Sequence, residues 1–173
     1  MAVDWVSSQG FLVTVPEECK DVLQSSLLES GLQDSTDEMI NYLRLQQGWP
    51  LGNDIPEKTL PQEVGLNARA ISLTKGCYLG QETVARLDAL GHVNRRLVVL
   101  AVEKGGSIVV GDRVASNDEV VSRVTSVGCL GNQEVSLAMA IIPLKTMQQK
   151  SNLTVAGKAA NVVSPVLLDT LMT

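Results

Sequence analysis

Aromatic side chains are scarce in this chain: one Phe, two Tyr and two Trp among 173 residues, 3% in all. A core must therefore be built from Val, Leu, Ile and Ala, and a hydrophobic fraction of 45% is enough to bury one. Histidine is scarcer still, with His92 alone. The cysteines Cys19, Cys77 and Cys129 are odd in number and far apart, with no CxxC pair. That leaves a structural zinc site without its ligand set, so no metal is expected, and it favours a reducing compartment over a disulfide framework. Basic charge is in deficit, with 14 Lys and Arg against 19 Asp and Glu, a net charge of −5. The acidic balance argues against direct nucleic-acid binding or attachment to a membrane surface. No apolar run approaches the roughly 20 residues that span a bilayer. The first residues, Met1 to Trp5, lack a basic-then-apolar signal pattern. A cytoplasmic protein is expected.

What is present divides by texture. Gly10 to Val15 is β-branched and apolar and reads as a strand. Pro16 suits a first helical position, followed by Glu17 and Glu18 at the positive end of the helix dipole. Val22, Leu23, Leu27 and Leu28 form one apolar face of that helix, and Gly31 stops it. Ser35 and Glu38 fit a capping box for a second helix, on which Met39, Ile40 and Leu43 recur at helical spacing before Gly48 and Pro50 end it. Residues 51–65 carry Gly52, Pro56, Pro61 and Gly65 and read as a long loop of the kind that often serves function. A short strand over Ala70–Leu73 leads to a helix over about Gly80–Leu90, ended by Gly91. From Leu97 the chain becomes Val-rich, with turn signals at Gly105-Gly106, Gly111-Asp112, Asn117-Asp118 and Gly131-Asn132. Val135, Leu137, Met139 and Ile141 alternate with Ser136, Ala138 and Ala140, as in a small antiparallel barrel or sandwich. The expected class is α+β, with an α+β domain over 1–93 and a β-barrel domain over 94–173.

Cys77 is the sharpest chemical candidate. It follows Gly76 and precedes a helix start, where backbone N–H groups and a nearby Lys75 could stabilise a thiolate. Its bland reading is a small buried apolar residue, the commoner fate of cysteine. Gly76 and Gly80 bracket Cys77 and Tyr78 and serve turn geometry in either case. Gln81 and Glu82 could contact a ligand or simply open the helix. Arg44 could grip a carboxylate in a forked geometry or stand as a solvated helix charge. Trp49 could stack on a planar ring or cover the core. Asn53, Asp54 and Glu63 could bond a ligand's edge or cap turns. His92 has no Ser/Asp arrangement beside it, and Cys19 and Cys129 read as structural. GxGxxG, P-loop and HExxH patterns are absent, and Gly76 to Gly80 is no nucleophile elbow, since its central residue is Tyr78.

The run Lys75-Gly76-Cys77-Tyr78-Leu79-Gly80-Gln81-Glu82 resembles the signature of the YgfZ family at every defined position. Arg44, Gly48 and Pro50 resemble the segment that precedes it there, and Leu51 to Ile55 with Pro61 and Glu63 is similar to the glycine-cleavage T-protein, an aminomethyltransferase that uses tetrahydrofolate. Gly10 to Pro16, Val124 to Ser126 and Ala138 to Ala140 add to the likeness, which covers most of residues 8–142. T-proteins lack a cysteine at this place, so Cys77 favours the YgfZ branch. The resemblance implies the C-terminal half of an aminomethyltransferase-like folate-binding fold followed by a small antiparallel β-barrel domain, without the N-terminal half of longer family members. It implies an accessory factor for iron–sulfur cluster assembly or repair, not a classical enzyme, supporting iron–sulfur enzymes such as tRNA-modifying ones. Cys77 would be its working group, supported by Lys75, Gly76, Tyr78, Gly80, Gln81 and Glu82. Arg44, Trp49, Asn53 and Glu63 would contact tetrahydrofolate. Iron–sulfur proteins or assembly factors are the expected partners, and exposed apolar residues such as Val3, Trp5 and Phe11 would favour self-association or a partner chain. The alternative activity is a tetrahydrofolate-dependent aminomethyltransferase.

Overall fold

The computed structural model describes residues 2–3, 10–65, 71–72, 74–90, 93–103, 107–131, 135–148 and 152–163. Trp5, Ala70, Leu73, His92, Gly105-Gly106 and Asn132 lie outside the described residues, as does the side chain of Val3, so the expectations placed on them stop there. Two short strands, β1 (Ala2–Val3) and β2 (Gly10–Phe11), pair antiparallel, with Ala2 opposite Phe11. The strand expected over Gly10–Val15 is thus two residues long. Residues 12–15 have the right composition but lie outside the strand, and composition alone does not hold a strand.

Pro16 is the residue before a 3-10 turn at Glu17–Cys19, which leads into α1 (Lys20–Glu29). The apolar face of α1 is not buried: Val22, Leu27 and Leu28 remain 70%, 40% and 44% exposed. Helix α2 (Asp37–Gln46) is capped one residue later than the sequence suggests, because Thr36 Oγ1 accepts from Met39 N at 3.2 Å. Gly48, at φ +66°, turns the chain out of this helix in the left-handed region. The stretch read as a long loop is ordered by its own carboxylates. Asp54 Oδ2 accepts from Leu51 N around a 3-10 turn at Gly52–Asp54. Glu63 Oε2 accepts from Leu60 N at the start of α3 (Pro61–Val64). Helix α4 (Gln81–Leu90) follows the cysteine run, as expected.

The second half is a seven-stranded antiparallel sheet. Its strands are β3 (Arg95–Glu103), β4 (Arg113–Ser116), β5 (Glu119–Arg123), β6 (Ser126–Gly128), β7 (Val135–Pro143), β8 (Leu153–Val155) and β9 (Lys158–Val163). A short helix, α5 (Leu144–Gln148), follows β7. The spatial order is β5-β4-β8-β9-β3-β7-β6. Strand β5 is remote from β7 in that order, yet Ser122 Oγ donates to Ile141 O at 2.6 Å. The sheet therefore curls round on itself into a half-barrel.

Both faces of its central strands are apolar, which explains why the sheet carries a core on each side. Inside the curl lie Val98, Leu100 and Val102 of β3 with Ala138, Ala140 and Ile142 of β7, together with Val114, Val124 and Val155. Outside it, Leu97, Val99, Leu137 and Met139 meet Tyr42 and Leu45 of α2 and Val64 of α3. Leu45 and Met139 are fully buried, each worth about 1.5–3 kcal/mol of transfer free energy. Gly128 on β6 allows the helix to come this close, since a Cβ there would stand 2.7 Å from Leu45 Cδ1 and 3.2 Å from Tyr42 Cα. The small residues Ala138 and Ala140 occupy the concave side, where curvature brings side chains together.

Candidate functional site

The polar residues singled out in the sequence fall into two unlike places. The first is a buried knot centred on Arg44, whose side chain is 6% exposed. Helix α2 carries it at its C-terminal turn, beside the fully buried Leu45. Its Nη1 donates to Asp54 Oδ2 at 3.0 Å and to the Trp49 carbonyl at 3.0 Å. Its Nε donates to Asn41 Oδ1 at 2.9 Å and its Nη2 to Ser126 Oγ at 2.8 Å. The arginine does grip a carboxylate, Asp54 of the same chain, but through Nη1 alone and not in the forked geometry, because Nε and Nη2 are taken by Asn41 and Ser126. Asp54 is itself sealed from solvent, and its Oδ1 accepts from Thr125 Oγ1 at 2.6 Å. The knot thus ties α2 and the turn after it to the segment entering β6.

Glu63 has a similar fate. Its side chain is 6% exposed, with Oε2 capping α3 and Oε1 accepting from Arg95 Nε at 2.8 Å. The hydrogen bond to Glu63 raises the Arg95 pKa above its ordinary value, outweighing the lowering effect of burial. Arg44 and Glu63, expected to contact tetrahydrofolate, each present polar atoms to the protein's own groups. Asn53 is exposed beside Asp54, and Trp49 is half-buried, so these two retain surface for a ligand. Asn41, Asp54, Thr125, Ser126 and Arg95 complete the two networks. The sequence offered a signal for Asp54, which precedes a turn, but none that would pair Arg44 with a serine on a strand 82 residues away.

The second place is the run before α4. Lys75, Gly76, Cys77, Gly80 and Glu82 are exposed, and Tyr78 and Gln81 are half-buried. Lys75 N donates to Ser72 Oγ at 3.2 Å, and Lys75 Nζ lies 5.0 Å from the centre of the Tyr78 ring, within cation–π range. The Tyr78 hydroxyl is enclosed without a hydrogen-bond partner among the described residues. The two glycines differ. Gly80, at φ +84°, takes the left-handed turn that admits the chain to α4. Gly76 has no positive φ and no atom within 4 Å of a Cβ built on it, so neither strain nor crowding requires glycine there. The bland reading of Cys77 as a buried apolar residue does not hold, because the thiol is free and exposed. Exposure does not single it out, however. Cys19 and Cys129, expected to be structural, are free and exposed too.

The four partners of Arg44 include no residue of the cysteine run. Helix α3 is tied to α4 instead, where Gln62, next to Glu63, donates to the Val84 carbonyl at 3.1 Å. Among the described residues no group of three His, Cys, Asp or Glu side chains gathers as metal ligands, and no helix is long and apolar enough to cross a membrane.

Set beside known proteins, the chain matches no family model. It is 48% identical over 62 residues to a protein of Colwellia psychrerythraea named tRNA-modifying protein YgfZ, a stretch covering 35% of this chain and 19% of that protein. It is 30% identical over 158 residues to an aminomethyltransferase of Nostoc sp., covering 90% of this chain and 42% of the relative. Among solved structures, the glycine cleavage system aminomethyltransferase T of Bartonella henselae superposes with a TM-score of 0.72 at 22% identity, over 89% of this chain and 45% of that one. The chain spans less than half the length of these relatives. It is YgfZ-like in sequence over part of its length and has the mixed helix-and-strand T-protein fold over most of it.

Proposed function

We propose that this YgfZ-like chain of T-protein fold serves as an accessory protein for iron–sulfur cluster assembly or repair, supporting iron–sulfur enzymes such as tRNA-modifying ones through Cys77. The observation that carries the reading is the presentation of the Lys75–Glu82 run. Cys77 stands exposed on the loop that leads into α4, with Gly76 leaving open space beside it. A thiol that must meet another protein needs both features. Its partners are iron–sulfur proteins or their assembly factors. The exposed apolar residues Phe11, Val13, Val22 and Leu32 supply a surface for a partner chain or for self-association. Its work belongs in the cytoplasm, where three unpaired thiols stay reduced.

Tetrahydrofolate is the ligand proposed for the aminomethyltransferase-like fold, with Trp49 and Asn53 among its contacts and Arg44 and Glu63 holding the frame. The test of the main reading is the activity of an iron–sulfur tRNA-modifying enzyme in cells that depend on this protein. Cys77→Ser is expected to abolish support while the protein stays folded. Full support from that variant would sink the thiol role. A second reading, a tetrahydrofolate-dependent aminomethyltransferase, is favoured by the Nostoc relative, whose similarity extends over 90% of this chain. Calorimetry with tetrahydrofolate addresses the ligand, and turnover of an aminomethyl donor addresses the enzyme. Binding without turnover supports the accessory reading.

A further inference from the structure

The curled sheet does not close, and the gap has a definite cause. Strand β6 pairs with β7 with Ser126 opposite Met139 and Gly128 opposite Leu137. The same register, continued backwards, would set Arg123 opposite Ile142 and Ser122 opposite Pro143. The ladder fails there for two reasons. Pro143 has no N–H to donate. The β4–β5 pairing shifts register between Val114 and Ala115, leaving Val121 as an extra residue that bends β5 away. The edges stay linked at the root of the gap by Thr125 N to Met139 O, 2.8 Å, and Ser122 Oγ to Ile141 O.

Where the edges part, a cleft of about 510 Å³ opens, its floor and walls including Val120, Val121, Ile141, Pro143 and Pro56. That is within the range of about 300–1,000 Å³ typical of small-ligand sites. Its charged lining among the described residues is of one sign: Arg95 and Arg123 border it and no carboxylate does. Each guanidinium is anchored at one side and unengaged at another. Arg95 is held by Glu63 through Nε and by the Lys58 carbonyl through Nη2 at 3.4 Å, leaving Nη1 without a partner among the described residues. Arg123 is held by the Gly111 carbonyl through Nη1 at 2.9 Å, leaving Nε and Nη2 without a partner among the described residues. In a chain of net charge −5, a cleft with an apolar floor and two tethered arginines is a local reversal of sign.

We propose that this cleft binds a small organic monoanion, a carboxylate carried on an apolar body, with Arg123 and Arg95 receiving the carboxylate and Val121, Ile141 and Pro143 the body. The charge balance sets the count at one: Glu63 already answers Arg95, so Arg123 brings the unneutralised charge. A planar fork suits a carboxylate, and the apolar walls would go unused by a bare inorganic ion.

The probes are 4-phenylbutanoate, its neutral amide and inorganic phosphate, each titrated into the full chain and followed by amide chemical shifts in NMR. The acid is expected to shift Val120, Arg123 and Ile141 saturably, and the amide to bind roughly tenfold or more weakly, the usual worth of a charge-assisted hydrogen bond. Arg123→Gln, at an exposed position, should erase that preference for acid over amide without changing the melting temperature. Equal binding of acid and amide, or no saturable shift at these residues, would overturn the site. Phosphate binding as tightly as the acid would overturn the apolar half of the recognition. Displacement of the acid by tetrahydrofolate would overturn its standing as a second site.

Discussion

The Arg44 knot and the Cys77 loop are both polar motifs, and their surroundings are opposite. Every partner of Arg44 is a group of this chain, and the charge lies under the surface against a carboxylate with no exposure. The side chains of Lys75, Cys77 and Glu82 face solvent. A buried ion pair fixes geometry, because its hydrogen bonds are met in one arrangement only, and removing either partner strands the other. An exposed loop fixes little, and leaves its groups free to meet another molecule. The comparison separates what holds the fold from what the fold displays.

Breaking the knot should have the largest effect. Arg44→Leu leaves Asp54 buried without its counter-charge, and urea unfolding should show a loss of about 3–5 kcal/mol. A loss under about 1 kcal/mol, the range of exposed pairs, would show that the knot is not a structural tie. Gly128→Ala comes next. Its Cβ must push aside Leu45, which is fully buried, or the backbone at Tyr42. The expected loss is about 1–3 kcal/mol, measured the same way. Gly76→Ala should be the mildest, within about 0.5 kcal/mol in stability because no neighbour meets the new methyl. It should nonetheless slow reaction of Cys77 with a bulky maleimide. An unchanged rate would mean the open space beside the thiol has no consequence.

The comparison also explains what could be read beforehand. The helices at 37–46 and 81–90, the β-rich character of the second half and the Gly31 and Gly48 stops were legible, since each follows from local spacing or backbone conformation, whereas the short helix α5 within that half was not. The half-barrel's two-sided core was only half legible. Val135, Leu137, Met139 and Ile141 look like one apolar face, whereas Ala138, Ala140 and Ile142 pack the other. The Arg44 partners were not legible at all, because Thr125 and Ser126 reach the knot through sheet curvature, a long-range property no local pattern encodes. The short helices within residues 51–65 were missed for a related reason. Pro and Gly suggested a loop, while Asp54 and Glu63 turned it into short capped helices.

The most direct test of Cys77 as the working group uses the other two thiols as internal controls. All three cysteines are free and exposed, so solvent access alone would label them alike. Site-resolved mass spectrometry of the native protein during mild iodoacetamide alkylation gives the three rates in one experiment. Cys77 is expected to react well ahead of Cys19 and Cys129, and to lose that lead when the chain is unfolded in urea. Equal native rates, or a lead held by Cys19 or Cys129, would contradict the assignment.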